Sequence, residues 1–477
     1  MSSVTAGSAG APSLGRLSAA SKFRRERPDR DVVVFERGQF ISYAHCGTPY
    51  FVEGRVSRLS DLLSLSPADV EDRGIDLRRG HEVVAVDPET NTVRVRAADG
   101  TTSEQPYSEV LVATGAHAVT GSFDVQGLAG AFTLHGLNDA AAIDAYIADP
   151  AEYDPDSADV AAVDRDRVDR AAAHPAPETA AIVGGGYVGV EMAEALRGRG
   201  LDVHLFQRSD RLLPPFGAAV GDRVASTLEA HDVTVHTNTS VDAILGDDRV
   251  EAVRADGRTV PVELAIVGVG IEPTTAVTDG TAVECGPRGA IRTDRYGETA
   301  EPGVYAAGDC AASRHVVTGE ETWIPLGLTA NRAGRAVGAT VAGAPTPVGD
   351  VAGTAVVKAF EMECGRVGLA TEAAARDAGF DPVSETITAG SRSGYYPGAA
   401  ETDVTLVADA DSGRLLGGSI AGTDRAAVRI DTLATAIHAE LSVAAVERLD
   451  LAYAPPFSPV WDPVLVAAKV LRGSLES

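Results

Sequence analysis

The sequence predicts an α/β protein made of two doubly wound units of the same plan followed by a C-terminal α+β module, on three observations. First, from Thr179 an apolar strand, AAIVGGG, runs into Tyr187-Val188-Gly189, an Ala/Glu-rich helix (VEMAEALRGRG) and a second strand, DVHLF, which ends at Gln207. Strand, glycine turn, helix and strand within about thirty residues is the setting in which a GxGxxG pattern becomes specific. Second, RDVVVFERG (Arg30 to Gly38) repeats LDVHLFQRS (Leu201 to Ser209) in strand pattern and in its Asp, Val, Phe and Arg positions. Third, beyond about Pro345 alternating strands dominate and no further glycine turn occurs. The fold class is therefore α/β, with two Rossmann-like dinucleotide-binding domains and an α+β module suited to a subunit interface.

Composition narrows the partners. The chain has 477 residues, 44% hydrophobic and 23% charged, which excludes collagen-like, wholly disordered and mucin-like classes. Its formal net charge is −27, so non-specific attraction to nucleic acid or anionic lipid is not expected, and small molecules are. Lysine occurs only at Lys22, Lys358 and Lys469, while Arg and Asp abound. That balance is similar to cytosolic proteins of halophilic organisms, where salt screens an anionic surface; GC-rich codon usage gives the same bias. No run of 18 apolar residues and no signal-like apolar core is found, so a cytoplasmic location without a membrane span is expected.

The elements follow in order. In the first unit the helix SAASKFRRERP precedes the strand ending at Glu36, which stands where the later copy has Gln207 and reads as a ribose-binding acid. Its glycine turn is atypical: the spacing of the second unit gives Ser13, Gly15 and Ser18, and another register gives Ala11, Ser13 and Arg16. The preceding MSSVTAGSA lacks the apolar run of a buried strand, and Gly7, Gly10 and Gly15 read as a flexible leader more than as a phosphate cradle. Next come alternating strands that end in Ala113-Thr114-Gly115. Residues 149–177, rich in Asp, Ala and Pro, read as an acidic solvated insertion.

In the second unit Gly184 permits the tight turn, Gly186 lets a pyrophosphate approach and Gly189 lets helix and strand pack closely. The phosphates would meet unpaired N–H groups at the helix start. Gln207 beside Arg208, with Arg211 a turn later, tolerates a 2′-phosphate that a carboxylate would repel, so NADPH or both nicotinamides are expected. LAIVGVGIEP and GVYAAGDCA then give two more apolar strands.

Four cysteines, Cys46, Cys285, Cys310 and Cys364, form no CxxC pair and do not cluster with His at zinc spacing; no metal site is expected. Cys46 lies in Ser42-Tyr43-Ala44-His45-Cys46-Gly47-Thr48-Pro49-Tyr50. Gly47 and Pro49 suit a helix that starts just after the sulfur, which favours thiolate. His45 is not automatically its base, because neighbouring side chains in extended backbone point to opposite faces.

Together ATG at 113–115, GGGYVGVE at 184–191 and YAAGDCA at 305–311 resemble the FAD-dependent pyridine nucleotide-disulfide oxidoreductases. The likeness is to their single-cysteine group, the coenzyme A disulfide reductases, NADH oxidases and polysulfide reductases. The resemblance implies four segments: 1–121 and 262–344 for an FAD-binding domain, 122–261 for an NAD(P)-binding domain and 345–477 for dimerisation. It carries Asp309 to the flavin ribityl chain, Tyr187 to the lid over the flavin and Glu191 to the acid after it. It adds Ser42, Val83, Thr114, Gly115, Gly308 and Gly270 to the cofactor-binding set. Two-cysteine relatives place the second sulfur on the same helix, whereas here Tyr50 and Phe51 follow Cys46 at four and five residues. Cys46 must then exchange with an external sulfur or oxidant. Two tyrosines of the partner subunit are implied at that cysteine: Tyr396, in Gly394-Tyr395-Tyr396-Pro397, and Tyr453, in Tyr453-Ala454-Pro455-Pro456-Phe457.

The function so implied is electron transfer from NADPH or NADH, through FAD, to Cys46 and on to coenzyme A disulfide or a related persulfide, by way of a mixed disulfide with coenzyme A, in a homodimer. One alternative is an NADH oxidase that reduces oxygen or peroxide through a Cys46 sulfenic acid. Another, prompted by the atypical first turn, is a flavin-poor nicotinamide-binding or redox-sensing protein.

Overall fold

A computed structural model describes residues 3–6, 14–123, 125, 127–151 and 153–476. The chain forms two compact units, one made of 1–177, 269–314 and 320–350, the other of 178–268, 315–319 and 351–477. Residues 122–177 thus belong to the first unit and 262–268 to the second.

In the first unit five parallel strands lie in the order Val304–Ala306, Glu109–Val112, Ser3–Ala6, Val32–Glu36 and Asp76–Arg79. Val32–Glu36 is buried at every position, as a continuous apolar run in a covered parallel sheet should be. A three-stranded antiparallel meander, His81–Asp87, Thr92–Ala97 and Thr102–Pro106, packs Val83, Val86, Val93 and Val95 against Val33, Phe35 and Val110.

Two expectations are corrected here. Ser3–Ala6, read as part of a flexible leader, is the central strand, with Val4 opposite Val33 and Val110. Its flanking strands present ladder partners on both edges, and backbone pairing proceeds without the apolar run that the reading required. Gly15, read with that leader, instead lies in helix Leu14–Glu26, where it packs against Gly334, while Gly7, Gly10, Ala11 and Ser13 lie outside the described residues. Nor is 149–177 a solvated loop. Asp164 caps a helix, Arg165–Ala172, that buries Val168 and Ala171, while Asp159 accepts from the N–H (2.9 Å) and hydroxyl (2.7 Å) of Ser60. Apolar residues spaced among the acids supply the packing that composition alone concealed.

Helix Leu14–Glu26 meets helix Gly327–Val341 at very short range. A Cβ on Gly334 would lie 2.0 Å from the Gly15 carbonyl oxygen, and one on Gly338 2.4 Å from that of Ala19. Four residues apart, both glycines share one helix face. Gly334→Ala is expected to force the helices apart and destabilise the protein by about 3 kcal/mol in denaturant unfolding. A loss near zero would show that the helices give way without cost.

In the second unit Val233–His236, Asp202–Phe206, Thr179–Val183 and Leu264–Val267 run parallel in that order. The C-terminal module is an antiparallel sheet ordered Ala355–Ala359, Met362–Gly368, Leu415–Gly422, Glu401–Asp409, Pro382–Gly390. Helices Ala426–His438 and Pro463–Leu475 contribute Ile430, Leu433, Val464 and Leu471 to its core.

Candidate functional site

The glycine turn of the second unit has the geometry its three glycines require. Gly184 adopts φ +111°, open to glycine and costly to other residues. A Cβ at Gly189 would stand 1.8 Å from the Gly184 oxygen, so helix Tyr187–Gly198 rests directly on the turn. Above Gly186 a Cβ would meet nothing within 4 Å. No side chain caps this helix, which keeps its first N–H groups available to an anion. Gln207 accepts from the Gly185 N–H at 2.9 Å and donates to the Ser209 hydroxyl. Arg211 is paired with Asp210 at 2.5 Å, whereas Arg208 is exposed.

The Tyr187 phenol accepts from Arg366 Nε at 3.2 Å and packs edge-on to Phe216, 5.5 Å between ring centroids. Arg366 stands 179 residues away, and no local pattern points to it. Glu191 is half-buried on the same helix. On that helix Glu194, 3% exposed, pairs with Lys358 and accepts from the Phe360 N–H at 2.8 Å. One of only three lysines in the chain was the available signal.

In the first unit the Cys46 loop is tied down by backbone bonds from Ala44 N–H to Leu62 O (2.8 Å) and Ser64 N–H to Ser42 O (3.0 Å). His45–Gly47 forms one 3₁₀ turn, and helix Thr48–Glu53 follows with Pro49 in its first turn. Cys46 is exposed in that turn, Ser42 is buried, and Phe51, at the second-sulfur position, is core. The His45 ring stacks on Tyr43 (6.0 Å) and meets the edge of His135 (5.3 Å). Burial, with the His135 charge as a lesser cause, pushes the His45 imidazole down to about 4. At neutral pH it is uncharged and gives a thiolate no cationic support.

Thr114 is buried and its hydroxyl donates to Thr274 O; Gly115 and Gly308 sit at φ +70° and +87°. Asp309 Oδ1 is buried without a hydrogen-bond partner, and burial raises its carboxyl to about 6. Glu36 accepts from the Gly38 N–H at 2.6 Å and pairs with Arg16, whose side chain is fully buried and also donates to Phe35 O at 3.3 Å. The Val83 side chain belongs to the core, and the Gly270 carbonyl (φ +133°) accepts from the Val119 N–H at 2.9 Å. In the second unit Tyr396 and Tyr453 are 38% and 49% exposed. Among the described residues no group of three or more His, Cys, Asp or Glu is placed to hold a metal, and no helix is long and apolar enough to cross a membrane.

Two nucleotide folds and an exposed cysteine on a helical turn, carried by one chain, are the equipment of a nicotinamide-dependent oxidoreductase that works through sulfur. Comparison with known proteins narrows this class. Residues 6–334 match the pyridine nucleotide-disulphide oxidoreductase family and 354–463 its dimerisation domain. The chain belongs to that family and is an FAD-dependent NAD(P)H oxidoreductase. It is 37% identical over 459 residues to the NAD(P)H coenzyme A polysulfide/persulfide reductase of Pyrococcus horikoshii, covering 96% of each chain. It is 30% identical to an NADH oxidase of Methanocaldococcus jannaschii, covering 95% of each. Among solved structures, an NAD-dependent persulfide reductase from A. fulgidus superposes with a TM-score of 0.89 at 28% identity, covering 99% of this chain and 83% of that one.

The residues present fit FAD. The unsatisfied, desolvated Asp309 oxygen requires a hydrogen-bond donor, which a ribityl hydroxyl supplies. A carboxylate offers about four acceptor positions, so Glu36 retains capacity for ribose hydroxyls beside Arg16 and Gly38.

Proposed function

We propose that the protein uses NAD(P)H to reduce coenzyme A disulfide or a related persulfide through Cys46. The observation that carries this reading is an exposed cysteine whose own helix places Phe51 where a second sulfur would stand. The relative from Pyrococcus horikoshii, named for coenzyme A polysulfide/persulfide reduction, supports it. FAD, when bound, accepts hydride from the nicotinamide and passes two electrons toward sulfur. In the first unit Glu36, Ser42, Val83, Thr114, Gly115, Gly308, Asp309 and Gly270 would hold it. In the second, Gly184, Gly186, Gly189, Glu191, Gln207 and Arg208 would hold the nicotinamide dinucleotide, with Tyr187 as the lid.

The Cys46 thiolate attacks one sulfur of the disulfide, the S–S bond breaks, and a coenzyme A thiolate leaves and takes a proton. Two electrons derived from NAD(P)H, with a second proton, then split the mixed disulfide, releasing the other thiol and restoring Cys46. Tyr396 and Tyr453 act at the partner subunit's Cys46, where a phenol donates to a thiolate or protonates the leaving sulfur. Their exposure, with that of Tyr395, Phe457, Val460 and Trp461, suits a module that closes against a second copy.

Steady-state assays with coenzyme A disulfide, polysulfide and oxygen test the assignment. Turnover with oxygen alone selects the oxidase reading that the Methanocaldococcus relative raises. An absorption spectrum without a flavin band selects the flavin-poor one. For the nicotinamide, Arg208→Leu is expected to raise KM for NADPH about 10-fold and leave KM for NADH unchanged, because an exposed guanidinium contributes only where a 2′-phosphate meets it. Equal changes for both cofactors would remove Arg208 from 2′-phosphate recognition.

A further inference from the structure

The segments that carry Tyr396 and Tyr453 are far apart in sequence, yet one side chain fastens both. Arg429, on helix Ala426–His438, is 10% exposed, and Nη2 donates to Ser391 O (2.6 Å) and to Phe457 O (3.1 Å). Nε donates to Asp462 Oδ2 at 3.0 Å, and Nη1 to Asp424 O (3.4 Å) and Arg425 O (3.2 Å). A guanidinium has five N–H donors, and here five acceptors meet it. Ser391 opens the loop that contains Tyr396; its hydroxyl and Arg392 both bind Asp424, and Arg392 reaches Pro397 O at 3.4 Å. Phe457 lies in the turn directly after Tyr453, closed by N–H bonds from Phe457 (2.9 Å) and Ser458 (3.0 Å) to Ala454 O. Asp462 ends that segment, accepts from the Ser458 hydroxyl at 3.1 Å and caps helix Pro463–Leu475.

We propose that Arg429 is a positioning residue of the acceptor half-reaction: it fixes the two tyrosine segments to each other, so that both phenols are presented together. The inference rests on the assignment of Tyr396 and Tyr453 to the disulfide step. A lysine keeps the charge but has three donors on a flexible stem and cannot reproduce the planar five-bond fork. Misplacement of the phenols by about 1 Å is enough to slow proton transfer about 100-fold.

The experiment separates the two half-reactions in the full-length holoenzyme. Arg429→Lys is expected to lower kcat with coenzyme A disulfide about 10- to 100-fold, while stopped-flow reduction of the flavin by NADPH stays within about twofold of wild type. In a Tyr396→Phe/Tyr453→Phe background the same substitution is expected to change kcat by less than about twofold, because the groups it positions are already gone. Asp462→Asn, which keeps the helix cap, should lower kcat in the same direction and serves if Arg429→Lys does not fold. Wild-type turnover in both single variants, equal loss in both half-reactions, or full additivity with the tyrosine variants overturns the proposal. A wild-type enzyme unable to reduce coenzyme A disulfide defeats instead the functional reading beneath it.

Discussion

Cys46→Ser is expected to abolish disulfide reduction, lowering turnover at least about 10³-fold, while NAD(P)H still bleaches the flavin absorbance under anaerobic conditions. A serine hydroxyl is far too weak an acid to supply an anion at neutral pH, and its oxygen forms no mixed disulfide, so the loss of about 4 kcal/mol falls entirely on the acceptor step. Most residues proposed to hold the cofactors lie elsewhere in the chain, at the Gly184–Gly189 turn and around Asp309; Ser42 shares the Cys46 loop, whose backbone bonds a sulfur-to-oxygen exchange leaves in place. Steady-state disulfide assays and an anaerobic spectral titration on the same preparation read the two halves. Retained disulfide turnover would remove Cys46 from the mechanism, and loss of bleaching would place it in cofactor binding instead.

Asp309→Asn is expected to stabilise the flavin-free protein at pH 8 by about 3 kcal/mol and to have little effect near pH 4. Burial raises the Asp309 carboxyl from 3.8 to about 6, so the folded chain holds this proton more tightly than the unfolded chain does. Below about 4 both states are protonated and the buried group costs little. As pH climbs through 6, the folded state must ionise a desolvated carboxyl, and that cost grows to its full value. Asparagine never ionises, so the difference between variant and wild type opens across this window and is flat above it. Denaturant unfolding at several pH values measures it, and a pH-independent difference would contradict the burial account. Asp309→Leu removes the acceptor altogether and is expected to weaken FAD binding about 10-fold or more.

Much of the site was legible because it is local. Gly184, Gly186 and Gly189 are set by a single turn, Gly184 by its φ of +111° and the other two by where a Cβ would fall. The same holds for Cys46 and the helix after it. What sequence reading missed lies in long-range contact. Arg366 on Tyr187, Lys358 on Glu194 and Arg429 on the two tyrosine segments join positions brought together by folding. The Gly334–Gly338 pair was visible as a spacing, but its meaning depended on Gly15 and Ala19, more than three hundred residues earlier. The central strand Ser3–Ala6 was missed for a different reason: hydropathy reports side chains, and this segment is placed by its backbone ladder.

Each compact unit is stitched from separate stretches of one polypeptide, 1–177 with 269–350 and 178–268 with 351–477 for the most part. A chain emerging from the ribosome therefore reaches its first sheet's last strand, Val304–Ala306, only after the other unit's parallel strands have all been made. Nascent or truncated forms that stop between residues 178 and 303 carry raw sheet edges and bare apolar faces, with a premium on chaperone cover. End-trimming consequently cannot isolate either unit: any uninterrupted fragment that contains all of one also carries stretches of the other.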